Sequence, residues 1–141
     1  MILKGKYEKS GKHWLIEISS LGALTQGTSK KDAFFMIKDW LLEMTEDKEL
    51  NMDLTDHGKG DFSIKFSHTS SIVSLMLSNA RKSENMTYEK VQDKLGLASK
   101  SVAKSRFDKK DKLLEKLSET ANCLGYDLVI DLVKKDNAKS S

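Results

Sequence analysis

The spacing of apolar residues shifts near residue 70 of this chain, and that shift limits what it can fold into. In the stretch HWLIEI (13–18), Trp14, Ile16 and Ile18 fall on one face and His13, Leu15 and Glu17 on the other. In DFSIKFS (61–67), Phe62, Ile64 and Phe66 alternate with Ser63 and Lys65. A period of two is that of strands with one buried face. Beyond residue 70 the spacing is helical: Ile72, Val73, Met76, Leu77 and Ala80, and later Leu113, Leu114, Leu117, Ala121 and Leu124. Such stripes mark helices packed on one side. His68-Thr69-Ser70-Ser71 fits neither period. It divides the chain into domains 1–69 and 70–133, with 134–141 as a polar tail expected to fray.

The remaining segments fill in each half. Residues 3–9 pair with 13–18 through a turn at Ser10-Gly11-Lys12, and LGALTQG (21–27) reads as a third strand. Ser29 is placed as an N-cap, with Asp32 near the positive end of the following helix. Ala33, Phe34, Ile37, Trp40, Leu41 and Met44 give that helix a wide apolar stripe. Residues 45–60 are polar, end in HGKG, and read as a loop. The order is β-β-β-α-β, a small layer with a helix over one sheet face. In the second half, helices are expected from residue 72, over 87–95, from Ser99 to about Phe107, and over 108–124. Gly125 is placed to end the last as a left-handed cap, and YDLVIDLV (126–133) reads as a closing strand. The expected fold class is therefore α+β, with a helical second domain ending in a β-strand.

Composition narrows the function classes. No apolar run approaches the roughly 20 residues of a membrane span, and MILKGKYEKS lacks a signal-peptide core. A single cysteine, Cys123, excludes an internal disulfide framework and fits a reducing, cytoplasmic setting. The net charge of +3 is unevenly spread: residues 1–69 carry 10 Lys against 11 acids, whereas 70–141 carry 12 Lys and 2 Arg against 10 acids. A basic balance in one half fits contact with phosphates, and fits ordinary lysine-rich solubility as well.

The basic half holds MTYEKVQDKLGLASKSVAKSRF (86–107), which reads as helix, glycine-bearing turn and short basic helix. That is the layout of a helix-turn-helix, whose second helix enters the DNA major groove. Thr87 is a cap, with Tyr88 at the first position, where a helix N-terminus can hold a phosphate. Val91 and Leu95 are expected inward, Gly96 permits the turn, Leu97 fills the corner and Val102 points back into the core. Ser99, Lys100, Ser101, Lys104 and Arg106 give the second helix hydroxyls and cations with no acid, which suit base edges and phosphates. The same residue types also make an ordinary solvated helix face. The DNA-binding set expected from this tract is Thr87, Tyr88, Ser99, Lys100, Ser101, Lys104 and Arg106.

The tract resembles the helix-turn-helix of the Cro and phage-repressor class at Met86, Thr87, Val91, Leu95, Gly96, Leu97 and Val102, and departs from it at Tyr88, Gln92 and Ala98. LLEKLSETANCLGYDLVIDLV resembles the closing helix and strand of several antitoxin repressors of this class. Upstream, Tyr7, Gly11 and Trp14, followed by LGALTQGTSKKDAFFMIKDWL, resemble the HicB antitoxin family, with Gly22, Thr25, Gly27, Asp32 and Ala33 matching in order. The family's turn proline is missing, and Ser10-Gly11 replaces its acidic hairpin. The resemblance implies a partial RNase H-like domain that binds and masks a HicA-like, mRNA-cleaving toxin, and a C-terminal domain that represses the operon at its operator DNA. A single recognition helix reads few base pairs, so a homo-oligomer, a dimer or higher, is expected, with 126–133 pairing across a two-fold axis.

Other reactive side chains are not arranged for chemistry in the sequence. Glu17 stands alone on its strand, Asp61 lies at a strand edge, and Asp39 and Glu43 form an exposed helical pair. Two-metal hydrolysis requires converging carboxylates. His13, His57 and His68 lack ligand spacing. His57 is expected in a loop and Cys123 near an apolar stripe. No catalytic residue, metal or cofactor is expected. The competing reading is a ligand-sensing transcriptional regulator with a small-molecule-binding N-terminal domain.

Overall fold

The computed structural model describes residues 1–108 and 111–135. Among these, the fold is α+β: a five-stranded antiparallel sheet and five α-helices. The strands are β1 (Ile2–Ser10), β2 (His13–Ile18), β3 (Ala23–Gly27), β4 (Met52–Gly58) and β5 (Asp61–Phe66), in the order β3-β2-β1-β5-β4. The helices are α1 (Lys30–Thr45), α2 (Ser70–Ser83), α3 (Tyr88–Leu95), α4 (Lys100–Ser105) and α5 (Lys112–Cys123). The part of the expected tail at 136–141 lies outside the described residues, as do 109–110 within the span expected for the last helix.

Alternation builds the sheet as the sequence leads one to expect. Leu3 and Tyr7 of β1, Ile16 and Ile18 of β2, and Phe62, Ile64 and Phe66 of β5 are buried on one face. The α1 helix covers that face with Ala33, Ile37 and Leu41. Its start is doubly capped: Ser29 Oγ accepts from Asp32 N (3.0 Å), and Asp32 Oδ2 accepts from Thr28 N (2.9 Å). Phe34 stands edge-on to Tyr7 at 5.3 Å, closing one end of the core.

Three features differ from expectation. Residues 45–60 are not all loop, because β4 occupies Met52–Gly58 as an edge strand. Its polar sequence reflects that position: only Met52 and Leu54 turn toward the core, and both stay partly exposed. The β4–β5 hairpin turns at Lys59 (φ +54) and Gly60 (φ +85), two left-handed residues in succession that suit a tight hairpin. His57 accordingly sits in a strand rather than a loop, with Nε2 at 2.7 Å from Ser63 Oγ.

Second, residues 126–133 form no strand. The Leu128 carbonyl accepts one bond from Ile2 N (2.9 Å), Asp127 pairs with Lys65 (3.1 Å), and Ile130 packs on the core. The alternating sequence is extended, yet its apolar residues face two environments and find no strand beside them to complete a ladder.

Third, α2 starts at the expected boundary, yet Ile72, Leu75 and Met76 enter the same hydrophobic cluster as the sheet. The α5 helix then docks on the start of α2. The Glu115 carboxylate accepts from Thr69 N (2.9 Å), Ser70 N (2.7 Å) and Ser70 Oγ (2.9 Å), placing negative charge at a helix N-terminus. Burial alone would raise the Glu115 carboxyl, but these bonds outweigh it and hold it below the usual range. Asp47 nearby is likewise lowered against burial by bonds from Ser71 Oγ (2.6 Å) and His68 Nδ1 (2.7 Å).

Candidate nucleic-acid interface

The α3–α4 pair is fixed by caps and a turn that the sequence specifies. Thr87 Oγ1 accepts from Lys90 N (3.2 Å) at the start of α3, and Ser99 Oγ accepts from Val102 N (3.2 Å) at the start of α4. Between them Gly96 takes φ +62, and Gly96 N and Leu97 N donate to the last carbonyls of α3, those of Asp93 and Gln92. Val91 and Ala103 are the buried residues of the two helices.

The inward face differs in phase from the sequence reading. Leu95, expected inward, is 56% exposed, and Val102 is 39% exposed, whereas Ala103 is fully buried. One residue turns a helix by about 100°, so the Ser99 cap, by setting where α4 begins, selects Ala103 over Val102. A small alanine at that position lets α4 lie close against α3.

Sequence reasoning missed how α2 holds this pair. The Arg81 guanidinium lies 4.2 Å over the Tyr88 ring and 5.6 Å from that of Phe107, and Nη1 donates to Met86 O (2.9 Å). The two rings meet edge-on at 5.7 Å, and the Ser74 hydroxyl donates to the Phe107 carbonyl. The available signal was an arginine in the last helical turn before two aromatics, which gains meaning only once the chain reverses.

The seven residues expected at DNA thus divide. Thr87 and Ser99 spend their hydroxyls on caps, and the Tyr88 ring is taken up by Arg81 and Phe107. Lys100, Ser101, Lys104 and Arg106 are exposed. Lys100 Nζ lies 2.9 Å from Glu89 Oε1, and this ammonium holds the Glu89 carboxyl below its usual range. Both groups are well exposed, so solvent screens the pair and it can yield to a phosphate. The arrangement offers an acid-free helix with three long cations at or near it, on a rigid support.

The other reactive groups lie apart. Glu17 and Asp61 flank Lys6 on the uncovered sheet face, with Lys6 Nζ 3.2 Å from Asp61. Asp39 and Glu43 are exposed on α1, and His13 is exposed on β2. Cys123, expected near an apolar stripe, is exposed. At the opposite end of β4, Asp56 accepts from the Tyr7 hydroxyl (2.6 Å) and pairs with Lys30 (3.1 Å). The Tyr7 bond chiefly, with Gly58 N and Lys30, lowers Asp56 to about 2. Among the described residues, no group of three or more His, Cys, Asp or Glu could hold a metal ion, and no helix is long and apolar enough to cross a membrane.

Comparison with protein-family models, with curated proteins and with solved structures finds no match to this chain.

Proposed function

We propose that this chain is a HicB-type antitoxin. It would bind operator DNA through α4, with α3–Gly96–α4 as a helix-turn-helix, and mask a HicA-like toxin with its sheet unit, read as a partial RNase H-like domain. The observation that carries the DNA half is α4 itself. This helix carries Lys100, Ser101 and Lys104 and is followed by Arg106, has no acid, and is set by the Ser99 cap and anchored by Ala103. Lys104 and Arg106 serve as phosphate contacts, and Lys100 and Ser101 face base edges. The first three strands and the covering α1 support the toxin-binding half.

A second copy completes the repressor. Leu113, Leu117 and Leu124 of α5, together with Tyr126, Val129 and Val133, are exposed. Exposed apolar residues beside an extended segment that belongs to no sheet fit pairing across a two-fold axis. The protein acts by binding, without catalysis, cofactor or metal.

The test is co-expression with the adjacent open reading frame, followed by purification and growth assays. A small basic neighbour that stops growth alone, and is neutralised in a stable complex with this chain, meets the proposal. A neighbour that neither binds nor inhibits growth defeats the antitoxin half and leaves a regulator.

A further inference from the structure

A cleft of about 610 Å³ opens where the C-terminal end of α1, one face of α2 and α4 come together. Two lysines line it, Lys82 from the last turn of α2 and Lys104 from α4. Neither has an ion-pair partner among the described residues. An ammonium without an ion-pair partner is free to meet an anion that enters the cleft.

The hydroxyls of the cleft divide in the same sense. Those of Ser71, Ser74 and Ser105 are spent on Asp47, the Phe107 carbonyl and the Val102 carbonyl. The hydroxyls of Ser78 and Ser101, which also line the cleft, are not used within the described residues. Tyr88, held by Arg81, supplies an aromatic wall, and Leu75 an apolar one. Glu46 and Asp108 are also in the lining. Their carboxylates disfavour a highly charged polyanion while leaving one phosphate group affordable.

We propose that this cleft binds a phosphate group carried on a small organic body, with Lys82, Lys104, Ser78 and Ser101 around the phosphate and Tyr88 and Leu75 against the body. The volume lies within the range of small-molecule sites, about 300–1,000 Å³. The site goes beyond the antitoxin reading and does not depend on it. It does share Lys104 and Ser101 with the DNA-facing set, so a ligand here takes both away from DNA.

The test is a titration of the full chain, without DNA or partner protein, followed by amide chemical shifts in NMR spectra. The probes are inorganic phosphate, adenosine monophosphate and, as an uncharged control, adenosine. Saturable shifts at Ser78, Lys82, Ser101 and Lys104 are expected with the first two and not with adenosine. Lys82→Ala and Lys104→Ala, both at exposed positions, should each weaken adenosine monophosphate about tenfold. A random-sequence duplex then separates the two sources of phosphate: because Lys104 and Ser101 are shared, duplex and nucleotide compete in either case, so Lys82→Ala decides, weakening the nucleotide alone if the site takes the small ester and weakening the duplex equally if it takes the DNA backbone. No saturable shift, equal binding of adenosine, or unchanged affinity in both lysine variants overturns the proposal. None of those results bears on operator binding, which is measured separately.

Discussion

Two regions of this molecule treat their apolar residues in opposite ways. In the sheet unit with α1 and α2, Ile16, Ile18, Leu21, Ile37, Leu41, Ile64 and Ile72 are all at 0% exposure. In α5 and the segment after it, Leu113 is 63% exposed, Leu124 70% and Tyr126 73%. The first region closes its core with its own residues. The second reaches order by leaning on the first, through Glu115, the Met1 amine on Ser118 (2.9 Å) and Leu128 O, and leaves an apolar face exposed. Two of the proposed contacts are thereby separated from stability: α4 and α5, offered to DNA and to a second copy, supply no residue of the buried core cluster.

Deleting buried methyls should expose the contrast most strongly. Ile37→Ala removes a fully buried side chain and should cost about 2–5 kcal/mol in chemical denaturation. A cost near zero would mean that α1 does not close the core. Glu115→Ala should cost about 1.5–3 kcal/mol, because the Thr69 and Ser70 donors lose a charged acceptor. Faster hydrogen exchange confined to α5 and the start of α2 would identify this docking as its origin. The same bonds predict an acid response. Glu115 and Asp47 are lowered in the fold, so their contribution is complete above the ordinary carboxylate range and is lost as pH falls through their depressed values. Glu115→Gln should flatten that loss, and an unchanged acid transition would discount the Glu115 share.

Smaller effects probe the second region. Gly96→Ala places a side chain at φ +62 and should cost about 1 kcal/mol, with α4 displaced and DNA affinity reduced. Leu113→Ala should change monomer stability by no more than about 0.5 kcal/mol. Leu113→Asp should nevertheless shift the sedimentation profile toward the monomer. A profile unaffected by that charge would remove α5 from the dimer interface.

Sequence legibility follows the same division. Strands with one dry face, such as β2 and β5, and helix starts with a capping side chain, such as α1, α3 and α4, announce themselves because local chemistry and tertiary burial agree. The edge strand β4 was hidden because an edge need bury only half of one face, leaving Asp53, Asp56 and His57 to look like loop. The segment 126–133 misled for the opposite reason: it alternates without a neighbour in this chain. In the α3–α4 pair, the residue types on α4 were legible, whereas its phase and the use of Tyr88 were not. The phase follows from where the Ser99 cap begins α4, and the use of Tyr88 depends on Arg81 arriving from α2, a contact between residues adjacent only after folding.

The central claim is that α4 reads DNA. Its most direct test is the affinity of the purified chain for the DNA immediately upstream of its own gene, measured by fluorescence anisotropy across a salt series. The account predicts binding at least about 10³-fold tighter than to random DNA. It also predicts that Lys104→Ala and Arg106→Ala each flatten the log–log salt slope by about 0.9. Affinity equal to that for random DNA, with slopes unchanged in both variants, would contradict it.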